Sequence, residues 1–207
     1  MNKRNLITTL ALAATLILTA GGAIAYFNSH TAVKMNTFNI IGGNRDHVQG
    51  EIVEENWNAD NAKDLVPNST VAKDPKIQST VGYETYAFMK LEIPQAYAAI
   101  GLEDDYEYQD AFTFNVNDGW TLIGERPSNG NGSVRTLLYL YGSDAQTPTM
   151  LAANGATTTI FDQITVPNFC RCRALNSSFN VEGFMEQATG VDLATAVADA
   201  KAWASIQ

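Results

Sequence analysis

Histidine and cysteine are almost missing from this chain: two of each in 207 residues. Each scarcity excludes a class of chemistry. A zinc protease of the H-E-x-x-H type needs two histidines four apart on a helix, with a glutamate base between them. His30 and His47 are the only histidines, and neither sits in such a motif. A Ser-His-Asp set would have to draw on the same two residues, and no G-x-S-x-G elbow is present. Glycine-rich phosphate or dinucleotide loops are absent too. His30 lies near the predicted mature end and His47 follows Asp46 in a Gly-Gly-Asn-Arg loop, so both read as surface residues. No catalytic residue emerges, and the expectation is a protein that is not an enzyme.

Two cysteines do not make a disulfide scaffold. They stand together as Cys170-Arg171-Cys172. In a strand such a pair lies about 6.8 Å apart, at the limit of disulfide reach, so bonding would need a local turn or bulge. An intrachain bridge, free thiols, an intermolecular bridge and a metal all remain open for Cys170 and Cys172.

Positive charge is scarce as well: 13 basic residues face 22 acidic ones, a net charge of −9. That balance argues against nucleic acid and against anionic membrane surfaces as partners. Beyond the first segment, no apolar run is long enough to span a membrane.

What is present begins at the N-terminus. Lys3 and Arg4 precede an apolar run over residues 6–20, and Ala23 and Ala25 follow at the A-x-A spacing of a signal peptidase site. The run is about 15 residues, short of the ~20 that a transmembrane helix needs, so a cleaved signal is predicted. Cleavage between Ala25 and Tyr26 leaves a mature domain over residues 26–207, with two basic residues removed and a net charge of −11. Its new end carries two aromatics, Tyr26 and Phe27. Chain ends are ordinarily frayed and polar, so aromatics there suggest an end to be buried against something.

The rest reads as an all-β chain, with short strand-like runs between Gly, Pro, Asn and Asp clusters. Strands are expected at 34–41, 48–54 and 178–187, and a β-branched run at 157–166 ends at Pro167. The strongest is 83–93, with Thr85, Ala87, Met89, Leu91 and Ile93 on one face. Its other face changes from Tyr86 and Phe88 to Lys90 and Glu92, so burial is expected at one end only, and Pro94 is expected to end it. Runs at 120–124 and 134–141 flank Asn-Gly pairs and read as a hairpin. One helix is predicted, capped by Asp192, with Leu193, Ala196, Val197, Ala200 and Trp203 forming its apolar stripe.

Residues 103–110 hold five carboxylates in eight positions. Asp104, Asp105, Glu107 and Asp110 are weak candidates for calcium, the one cofactor such an oxygen-rich loop would suit; its spacing is not diagnostic. Residues 56–61 imitate the start of an EF-hand, but Asn61 replaces the turn glycine and Pro67 stands at the bidentate glutamate position.

Several segments in order resemble the TasA/camelysin group of exported Gram-positive proteins. They are Ala25-Tyr26-Phe27 with Thr31, Asn36, Phe38 and Gly42; residues 65–75 with Pro67-Asn68 and Lys73-Asp74-Pro75; 83–94; Phe161-Asp162-Gln163-Ile164-Thr165-Val166-Pro167; and Gln187-Ala188-Thr189-Gly190. Asn68 stands where that group usually has glycine, and asparagine is the next best residue for positive φ in a type II turn. The Cys-Arg-Cys segment is not part of the pattern.

The resemblance implies a jelly-roll β-sandwich, secretion through a dedicated ER-type signal peptidase, and a place in the fibres of a biofilm matrix or cell surface. Partners would be further copies of the chain and other matrix proteins. Residues 26–42 would include a donor strand, with Tyr26, Phe27, Asn28, Thr31 and Val33 entering the next subunit. Two alternatives stand beside this reading: a camelysin-like surface metalloendopeptidase and a calcium-dependent adhesin or binding module.

Overall fold

One long strand organises the molecule. The computed structural model describes residues 50–62, 65–99, 106–129, 133–168, 171–172 and 178–207. Within it, β4 (Thr85–Ala99) runs for 15 residues and is buried along almost all of them. Apolar side chains on both faces suit a strand covered from two sides. Strand β7 (Val134–Asp144) pairs antiparallel with residues 88–94 of β4, and β11 (Asn180–Gln187) pairs antiparallel with residues 85–92 on the opposite side. Strand β6 (Trp120–Arg126) pairs with β7 through the expected hairpin, which extends further than its sequence pattern suggested.

Pro94 does not end β4. The strand continues to Ala99, pairing with β5 (Glu107–Asp110) and then β10 (Arg171–Cys172). Proline lacks an N–H, yet here it stands where the partner changes: Pro94 faces Val134 of β7, and Gln95 faces Asp110 of β5. Its carbonyl still accepts a hydrogen bond from the Ala111 N–H at 2.8 Å. The side chains facing the main core also slip by one, from Ile93 to Ala96 and Ala98. Such a slip has the character of a β-bulge.

Smaller sheets pack over one face of this large sheet. Strand β1 (Gly50–Val53) pairs with β3 (Lys76–Ser79), and β2 (Thr70–Ala72) pairs with β9 (Gln163–Thr165), all antiparallel. Strand β8 (Thr147–Pro148) pairs with the end of β7. The strand expected over 157–166 is reduced to β9. The preceding segment is held irregularly instead: Thr157 N–H donates to Ile77 O at 2.9 Å and Ile160 N–H to Pro75 O at 3.0 Å. Turn chemistry follows the sequence closely at Pro67-Asn68, where Asn68 has φ 67° and Ser69 N–H donates to Val66 O at 2.9 Å.

The main core lies between Ala87, Met89, Leu91 and Ile93 of β4 and the small sheets, which contribute Val71, Ile77 and Ile164. Phe112, Phe161 and Phe179 fill its centre, meeting edge to face in two of their contacts. Full burial of each such side chain contributes roughly 2 kcal/mol. A second core covers the opposite face at one end only. Tyr86, Phe88, Leu138, Leu140 and Phe184 lie there under helix α1 (Leu193–Trp203).

Asp192 caps α1, accepting the Thr195 N–H at 2.8 Å. Ala196 and Ala200 are its fully buried residues, small enough to bring the helix close to the sheet. At Lys90 and Glu92 the outer face carries charge, but burial does not stop there as expected: Lys90 is only 9% exposed, with its ammonium 4.9 Å from the Trp203 ring of α1, and β4 stays largely buried to Ala99. The chain is therefore all-β with one short C-terminal helix. Among the described residues, no helix is long and apolar enough to cross a membrane.

Candidate functional site

The described chain begins at β1, and the residues that follow β1 are clamped onto the body. Four consecutive side chains, Glu54 to Trp57, grip the segment 73–76. Lys73 Nζ donates to Glu54 Oε1 at 2.6 Å and lies 4.5 Å from the centre of the Trp57 ring. Asp74 accepts from the Asn56 backbone N–H at 2.9 Å and from Asn56 Nδ2 at 2.8 Å. Lys76 Nζ donates to Glu55 Oε1 at 2.6 Å.

These contacts differ in weight. Glu55 is open to solvent and its pair with Lys76 adds little. Lys73 is only 4% exposed. Burial pulls its pKa below the ordinary lysine value, against the opposing pull of Glu54 and Asp74. The Trp57 ring supplies an electron-rich face to the same cation. The clamp is thus a desolvated charge pair covered by a tryptophan ring, at the end of β1.

The clamp also ties in the rest of the small-sheet layer. Lys73 N–H donates to Asp162 O at 3.1 Å, and Asn68 N–H donates to Val166 O at 3.0 Å. Segments 67–75 and 161–167, both prominent in the sequence, therefore meet as β2 and β9 and their flanking turns. Their side chains build a scaffold and do not converge on a reactive centre.

Among the described residues, β1 pairs only with β3, β6 only with β7 and β11 only with β4, and β2, β5, β8 and β10 likewise have one partner each; β1 and β11 also lie beside one another. Strand β6 is broken by a register shift between Leu122 and Gly124. Strand β11 keeps one register through all eight of its pairs. An unbulged edge offers its backbone groups to a further strand; a bulged one is protected against it.

Many residues singled out by sequence fall outside the described residues: Ala23, Ala25, Tyr26, Phe27, Asn28, Thr31 and Val33, both histidines, Asp104, Asp105 and Cys170. Cys172 lies in β10, where only the backbone is described. Of the acidic candidates, Glu107 and Asp110 belong to strand β5, not to a loop. Three positions apart on a strand, they point to opposite faces. Asp110 is held by Arg135 Nη1 at 2.7 Å, and Arg135 also reaches Glu125 through Nε at 2.8 Å. Those pairs raise the guanidinium pKa further and lower that of Glu125. Glu107 and Asp110 are thus not brought together around a common centre, and no group of three metal-binding side chains forms among the described residues.

Sequence reading passed over Glu54, Asn56 and Trp57 as partners of 73–76. The available signal was complementarity between Glu-Glu-Asn and Lys-Asp-Pro-Lys, invisible without the pairing of β1 with β3. No protein-family profile, curated protein or solved structure matches this chain.

Proposed function

We propose that this chain is an exported, self-assembling structural protein of the cell surface or biofilm matrix, of the TasA/camelysin kind, with a jelly-roll sandwich and no catalytic role. Signal cleavage frees Tyr26, and the arm that follows adds as a strand to the next subunit. The observation that carries this reading is the junction itself: Ala23 and Ala25 at peptidase spacing, followed at once by Tyr26, Phe27, Asn28, Thr31 and Val33.

The described fold supplies two features such assembly would use. The pairing of β1 with β3, from Gly50 opposite Ser79 to Val53 opposite Lys76, anchors the start of the described chain, and the clamp of Glu54, Asn56 and Trp57 on Lys73 and Asp74 locks the far end of β1. Strand β11 keeps one register and has no second strand partner among the described residues, and backbone donors and acceptors of that kind are the basis of strand addition. Residues 26–49, fully extended, would span about 80 Å, enough to reach a neighbouring subunit. Calcium is not needed for this mode of assembly.

The test compares the mature chain with a version lacking residues 26–34. Negative-stain electron microscopy should show filaments of the first and only monomers of the second. Filaments formed equally well by the shortened chain would overturn strand exchange.

A further inference from the structure

A different part of the molecule carries a groove lined mostly by polar side chains. Segments 113–117 and 160–165 run side by side as a ladder that opens and closes again. At one end Thr113 and Thr165 exchange backbone bonds, each 2.8 Å; at the other Asn117 N–H donates to Ile160 O at 2.8 Å. Four steps on one segment, 113 to 117, therefore face five on the other, 160 to 165. The second segment carries one residue more, and residues of both segments line a groove of about 470 Å³.

Its lining has a definite chemical character: amides, hydroxyls, the Asp162 carboxylate and the half-buried ring of Phe114, with no lysine or arginine. Asn117 Nδ2 donates to Asp162 Oδ1 at 3.1 Å and Thr159 Oγ1 donates to the same atom at 2.9 Å, which sets the carboxylate in place. Phe114 is fixed by Phe161 at 4.8 Å and Phe179 at 5.8 Å. Asn115 and Gln163 are exposed, and their side-chain amides make no hydrogen bond among the described residues.

This combination rules out several ligand classes. An anionic ligand would meet a carboxylate and no cation. An apolar ligand would strand the amides without partners. An added strand would need a longer run of open backbone, but backbone bonds close the gap at both ends. A neutral sugar ring fits all the groups: its hydroxyls both donate and accept, as the Asn115 and Gln163 amides do, and its apolar C–H face suits an aromatic side chain.

We propose that this groove binds a neutral polysaccharide chain through one or two of its rings. The proposal does not depend on strand exchange. NMR titration of the ¹⁵N-labelled mature chain with cellohexaose, chitohexaose and maltohexaose should shift the amide signals of Asn115, Asp162 and Gln163 with at least one of them. Replacing Asn115→Ala and Gln163→Ala together, at exposed positions without internal bonds, should weaken that binding about tenfold or more. Filament formation by the same variant should be unchanged, which separates this site from assembly. Silence with all three sugars, unchanged affinity in the double variant, or preference for an oligogalacturonate would each overturn the proposal.

Discussion

Among the described residues two lysines lie beneath tryptophans, and the resemblance ends there. Lys73 is 4.5 Å from the Trp57 ring and Lys90 is 4.9 Å from the Trp203 ring. Lys73 has one close carboxylate, Glu54 at 2.6 Å, itself mostly buried. Lys90 shares two, Glu182 at 3.0 Å and Glu92 at 3.6 Å, and Glu182 stays 41% exposed. The first pair is a joint between two segments with water excluded. The second also buries its lysine, but one of its carboxylates, Glu182, stays in water where the end of α1 meets the sheet. Similar geometry carries different energies because the cost of desolvation differs, while the attraction between charges is screened at Glu182.

The sharpest way to break this contrast is to remove each cation in turn. Lys73→Met leaves Glu54 buried without a partner and should cost about 3 kcal/mol in chemical denaturation. Adding Glu54→Gln should return most of that loss. Lys90→Met should cost less, about 1 kcal/mol, since Glu182 keeps its water even though Glu92 is mostly covered. Equal losses at the two sites would erase the distinction.

The tryptophans should rank differently from their lysines. Trp203 stacks on Phe184 at 5.4 Å and closes the second core. Trp203→Ala should therefore cost about 2 kcal/mol, more than Lys90→Met, because packing and not the cation dominates there. Thermal melts of the two variants would check the order.

The smallest effect sharpens the comparison through pH. Burial holds the Lys73 pKa below its ordinary value of 10.5, so over that interval the unfolded chain binds more protons than the folded one. Below its folded pKa, the charged lysine imposes the full cost of its burial. That cost is relieved as pH rises toward 10.5. Wild type should therefore gain stability relative to Lys73→Met as pH rises toward 10.5. A constant difference across that range would contradict the assigned burial effect.

Local chemistry made much of the fold legible from sequence. The Asn68 turn, the Asp192 cap, the hairpin between β6 and β7 and the apolar face of β4 from Ala87 to Ile93 each depend on residues close in the chain. What escaped depended on distant ones. Pro94 is a strand breaker by itself, yet a change of partner makes its missing N–H harmless. Residues 157–162 have the β-branched composition of a strand, yet bonds to Ile77 and Pro75 hold them in another shape. The clamp and the groove were equally hidden. Lys73 and Glu54 are 19 positions apart, and Asn117 and Asp162 are 45 apart. Nothing in local periodicity brings either pair together.

Strand β4 has a mechanical consequence. Its early half is bonded to β11 and β7, and its late half to β5 and β10. A pull directed along this strand would load successive bonds in shear, so many would have to fail together. A pull across the sheet would peel them one by one. If subunits were strung head to tail with β4 near the line of tension, each would resist stretching far better than bending, like a tie-rod set inside a cladding of loops.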